Sequence, residues 1–183
     1  MVIYSSLLIN EKPPIIHRMA TKHDFHKVII GRSELLNFVG TEAIGVPAKT
    51  DTGAYRSAVH AQNIHVDDEG LLHFDVLGGH PVCGTMAHTL NTTDYKTVWV
   101  ANSFGHREAR YEVKLKVKVG PKIFVAQFTL ADRSKKIYPI LLGRKLLNHR
   151  FLVDSSETSL DRISLKQKYG IEFPKDEEEG RDL

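Results

Sequence analysis

A chain of 183 residues suits one domain, and an apolar share of 42% is enough for a packed core. Its single cysteine, Cys83, excludes an internal disulfide, fits a reducing cytosol and reads as a small apolar residue. The formal charge of +3 hides an asymmetry: Asp176 to Leu183 carries −4, leaving +7 on the rest, a basic body suited to an acidic partner.

In chain order, Met1 to Ile9 is apolar but has neither the basic flank nor the cleavage site of a signal peptide. It is also too short to span a bilayer. Met19-Ala20-Thr21-Lys22 reads as an ordinary start of translation, so residues 1–26 are expected to be a flexible or dispensable arm. A domain over 27–157 opens with a strand at Lys27 to Gly31, and a second runs from Ile44 to Asp51. Ser57 to Val66 alternates with period two, Val59 and Ala61 opposing His60 and Gln62. Asp67 to Gly70 turns it into a hairpin partner at Leu71 to Leu77, and Gly78-Gly79-His80-Pro81 breaks the chain.

Val98 to Ala101 is a further strand. Asn102 to Arg107 then reads as a hairpin tip leading into the clearest pattern of the chain. Val113, Leu115, Val117 and Val119 alternate with Lys114, Lys116 and Lys118, one face buried and the other solvated. Gly120-Pro121 turns the chain, and Ile123 to Leu130 runs back. A short helix to about His149 and a strand at Phe151 to Asp154 follow Gly143. Residues 158–183 read as a tail with a disordered acidic end.

Two stretches carry chemistry. Ala48-Lys49-Thr50-Asp51-Thr52-Gly53-Ala54 is a strand running into an acid, a hydroxyl and a glycine. The turn presents the Asp51 carboxylate, Thr52 can lock it to a neighbouring backbone, and Gly53 admits a close backbone approach. Alone, the tripeptide is as well explained by an Asx turn. Downstream, Ile140-Leu141-Leu142-Gly143-Arg144-Lys145-Leu146-Leu147 is an apolar strand ending in glycine before a helical pattern.

Together these stretches resemble the retropepsin-like aspartic peptidases. Lys49 to Ala61, Gly105-His106-Arg107-Glu108 and Leu141 to Asp154 are similar to a bacterial branch that carries the name ATP-dependent zinc protease and is associated with glutamate-ligase systems. The resemblance covers roughly Lys27 to Glu157. It implies an all-β, closed-barrel-like retropepsin (acid protease) fold with one short C-terminal helix. It also implies an endopeptidase with Asp51 as the catalytic acid on a turn completed by Thr52, Gly53 and Ala54. Leu142, Gly143 and Arg144 would support that turn from behind, Arg144 pairing with an acid. Arg56, Phe104, Gly105, His106 and Arg107 become candidate substrate contacts, the last four at the tip of a flap.

One Asp-Thr-Gly per chain requires a homodimer for a catalytic pair. Ala54 withholds the hydroxyl with which a serine would favour the charged carboxylate, so activity is expected to reach nearer neutrality. The glutamate-ligase association implies a peptide or protein substrate, acidic or glutamate-rich. Two alternatives are a binding module that kept the fold without turnover and a zinc hydrolase. No His-Glu-x-x-His, cysteine pair or P-loop occurs, so neither metal nor cofactor is expected. His60 and His65 fall on opposite strand faces. The protein is expected to be cytoplasmic, bound to neither nucleic acid nor membrane.

Overall fold

A computed structural model describes residues 27–84, 87–101 and 107–171. The expected N-terminal arm and the acidic end of the tail lie outside these residues. Eleven strands and two short helices are described: β1 (Val28–Ile30), β2 (Ser33–Phe38), β3 (Val46–Asp51), β4 (Ser57–Val66), β5 (Leu72–Val76), β6 (His88–Thr92), β7 (Tyr95–Ala101), β8 (Arg107–Val119), β9 (Lys122–Ala131), β10 (Ile140–Gly143), α1 (Arg144–Leu147), β11 (Phe151–Val153) and α2 (Arg162–Tyr169).

Six strands close on themselves in the order β10-β3-β2-β8-β9-β4, and β4 returns to β10. The expected all-β closed barrel is therefore the architecture. Closure removes the open edges of a flat sheet. β5 and β6 extend outward from β4, β7 pairs with β8, and β1 lies parallel to β11 in a separate two-stranded sheet.

The alternation in β8 sets the barrel wall. Val113, Val117 and Val119 are sealed inside, while Lys114, Lys116 and Lys118 face solvent. Leu36, Val46, Ala48, Val59, Phe128, Ile140 and Leu142 fill the interior they share. β4 departs from the expected period-two pattern, because Ser57 to Ala61 are all buried. Its first half is flanked by β9 and β10, and beyond it the strand leaves the barrel to pair with β5. Both faces of that half are covered, so residues that read as outward-facing, His60 above all, are inside.

The stretch read as a tail includes α2. Asp161 caps it by accepting the Ser164 amide at 2.7 Å, and Gly170 ends it in the left-handed region at φ 61°. Its fully buried Leu165 packs with Val82 and Ile137 in a second small core. The chain before it is fastened to β2: the Ser33 hydroxyl meets the Thr158 hydroxyl at 2.5 Å and the Leu160 carbonyl at 2.7 Å.

Candidate active site

Asp51 is the last residue of β3, half-buried where the barrel wall gives way to a turn. Thr50, one residue earlier, anchors it. The Thr50 hydroxyl donates to the Gly31 carbonyl at 2.9 Å and its amide to the Arg32 carbonyl at 2.9 Å. Asp51 Oδ1 accepts from the amides of Gly53 at 3.0 Å and Ala54 at 3.1 Å. These two bonds fix the carboxylate's plane and commit one oxygen. Among the described residues nothing engages Oδ2, so the acid is held by one side and offered by the other.

β10 backs the turn in parallel register, with Leu142 opposite Thr50 and Gly143 opposite Asp51. Leu142 is fully buried. A Cβ on Gly143 would lie 2.4 Å from the Arg56 carbonyl oxygen, so only glycine fits where the two chains cross. At Gly53 a Cβ would meet the Asp51 carboxylate at 3.2 Å, so the tight backbone approach expected there falls on Gly143 instead. The first amides of α1 close the turn, Arg144 to the Ala54 carbonyl at 2.8 Å and Lys145 to the Tyr55 carbonyl at 3.0 Å. Arg144 Nη1 donates to the carbonyls of Thr52 at 3.1 Å and Gly53 at 3.0 Å. An acid was the expected partner; carbonyls take its place because the turn directs two of them at the guanidinium. Thr52 thus meets its neighbour through its backbone.

The Arg56 guanidinium is paired with Glu112 and lies 5.6 Å from the centre of the Tyr55 ring. Glu112 was not foreseen. It is 3% exposed and also faces Lys96 Nζ at 3.2 Å and Lys145 Nζ at 3.8 Å. Burial pushes its carboxyl up, but the pull of Lys96, Arg56 and Lys145 outweighs burial and holds it below the usual carboxylate range. The sequence signal was an acid in line with Lys114, Lys116 and Lys118, on a face otherwise read as solvated. Arg107 opens β8 and is exposed. Phe104, Gly105 and His106 lie outside the described residues.

Two other chemical groups are built into the walls. His60 and His80 meet edge to face at 5.1 Å, both buried. Each ring accepts a backbone amide at Nδ1, from Arg133 at 2.8 Å and Val82 at 3.2 Å, and donates from Nε2 to a carbonyl, of Gly78 at 2.7 Å and Lys136 at 3.0 Å. Both imidazoles are neutral in this arrangement. Burial lowers His80 to about 4, with His60 beside it as a second cause, and burial also lowers His60. Cys83 is buried and its thiol is pushed up to about 12, which leaves no thiolate for nucleophilic chemistry. The donor set does not fit a zinc ion, since among the described residues no three His, Cys, Asp or Glu side chains gather. No helix among them is long and apolar enough to cross a membrane.

A Desulfotalea psychrophila protein named "Probable alpha-L-glutamate ligase" is 29% identical over 161 residues, covering 84% of this chain and 34% of its own length. Proteins of the same name from Shewanella pealeana and Parasynechococcus marenigrum are each 29% identical, over 164 and 133 residues, covering 82% and 70% of this chain and 34% and 28% of their own lengths. The chain thus spans about a third of the length of the curated relatives it matches. A Legionella pneumophila crystal structure of a protein of unknown function superposes with a TM-score of 0.55 at 27% identity, covering 72% of this chain and 95% of that one. Residues 29–163 match the model described as "Retropepsin-like aspartic endopeptidase RimB". That span takes in β1 through the start of α2, so the chain belongs to the RimB-like family of retropepsin-like aspartic endopeptidases.

Proposed function

We propose that this protein is an aspartic endopeptidase whose complete site is formed by Asp51 of two copies related by a two-fold axis. The observation that carries the reading is the Asp51 carboxylate itself: one oxygen is fixed by the Gly53 and Ala54 amides and the other left uncommitted, on a turn braced by Gly143 and Arg144. An isologous dimer brings two such turns together, since its axis can pass between identical segments.

Two carboxyls about 3 Å apart share one proton rather than both ionising. The ionised one takes a proton from a water as the water oxygen attacks the amide carbon. The protonated one gives its proton to the carbonyl oxygen. Collapse of the tetrahedral species breaks the C–N bond, and a proton passes to the leaving nitrogen.

Acidic, glutamate-containing chains are the proposed substrates. The relatives named as glutamate ligases and the basic body of this chain support that choice. Asp51→Asn is nearly isosteric and should lower turnover by roughly 10²–10⁴-fold while the fold persists. Mixed with wild type, it should suppress activity beyond simple dilution. Full turnover by the pure variant would overturn the mechanism, and a strictly linear loss on mixing would overturn the shared site.

A further inference from the structure

Glu112 joins cations from three separate parts of the fold. Arg56 comes from the loop after the Asp51 turn, Lys145 from α1, and Lys96 from β7, where it is the cross-strand partner of Glu112. Glu112 itself sits where β8 passes from the hairpin stem into the barrel wall, opposite Thr129 of β9. The Thr129 hydroxyl donates to the Ser57 carbonyl at 3.0 Å, next in sequence to Arg56. Three cations face one buried anion. With that anion neutralised, the mutual repulsion of three partly exposed cations would be left uncompensated.

We infer that Glu112 is a positioning residue: its ionised carboxylate clasps the stem of the β7–β8 hairpin to the turn that carries Asp51 and to α1. Among the described strands β7 is paired with β8 alone, and its start is tied to the body by this clasp, by Lys114 bonded to Asp94 at 2.9 Å, and by Tyr95, which packs edge to face on Tyr111 and against the barrel core. Lys96 is the leg that reaches the hairpin; Arg56 and Lys145 are the legs that reach the site.

The effect on turnover rests on the aspartic-peptidase reading, whereas the clasp itself does not. Amide hydrogen exchange on the full chain separates them. Lys96→Met removes a half-exposed cation and should speed exchange along Tyr95–Ala101 and Arg107–Glu112 by roughly threefold to fivefold. Glu112→Gln should speed it by at least about tenfold, and Glu112→Asp should recover part of the loss. Amides of β2 and β3 should keep their wild-type rates. If Glu112→Gln does not fold, Lys96→Met and Lys145→Met decide the matter. Hairpin amides unchanged in Lys96→Met, or an equal rise in every strand, would overturn the clasp and leave Glu112 as support for the fold alone. With cleavable peptides, kcat/KM should fall in the order that exchange rises. A wild type that cleaves nothing would sink the peptidase reading without touching the exchange result.

Discussion

Gly143 shows what one hydrogen atom is worth at a crossing. Gly143→Ala would drive a methyl to 2.4 Å from the Arg56 carbonyl oxygen, a backbone atom with no room to yield. The expected cost is about 1–3 kcal/mol or more, seen as a lower urea midpoint at unchanged slope, together with displacement of the Asp51 turn. Ala54 works in the opposite direction. Its amide holds Asp51 Oδ1, and Ala54→Ser would add a hydroxyl that favours the charged carboxylate. The acid limb of the pH–rate profile should then move to lower pH, as measured by kcat/KM from pH 3 to 8. Both residues were legible as members of motifs. What the motif could not tell is who answers Arg144, because two backbone carbonyls leave no trace in a sequence.

At the scale of elements, the His60–His80 pair fastens β4 to the turn at Gly78–Val82 and to the loop that leads into β10. Both rings are neutral in the fold and take up protons more readily once unfolded. Stability is therefore full above the ordinary histidine value near 6.5 and is lost as the pH falls through about 4, where His80 titrates in the folded chain. The His80 share is on the order of 3 kcal/mol. Urea midpoints at pH 7 and pH 5 should show the drop, and a flat profile would mean that water reaches the pair.

α2 makes a second element-scale prediction. Leu165→Ala empties the small core with Val82 and Ile137 and should cost about 2–4 kcal/mol, with the barrel intact by circular dichroism. Period two revealed β8, because one face is dry and the other wet. It missed β2, where Leu35 and Leu36 adjoin and break the alternation, and β6, whose Thr-Leu-Asn-Thr carries almost no apolar signal. α2 was missed for a related reason: among its eight residues only Leu165 is buried.

For the whole molecule, the shared-site reading sets a concentration dependence. A lone chain would own half a catalytic pair, so specific activity should fall on dilution through the dimer dissociation constant, together with a sedimentation shift. Constant specific activity down to a concentration at which only monomer sediments would remove the two-chain site. The closed barrel was expected from the family resemblance carried by Lys49 to Ala61, Gly105 to Glu108 and Leu141 to Asp154. The pairings that close it were not legible, because β10 lies parallel to β3 and antiparallel to β4, distant neighbours that no local pattern encodes.

Those long connections order events in time. Val28 pairs with Phe151, and Asp51 is backed by Gly143, partners separated by most of the described chain. A chain emerging from its amino end exposes Asp51 early, yet it cannot brace the turn until β10 and Arg144 have followed. Loop closure over such separations is also slow. The acid is made well before Gly143 and Arg144, so the geometry that would make it a useful half of a pair waits for them. On the aspartic-peptidase reading, a chain still being made would hold no braced half-site beside its own unfolded segments.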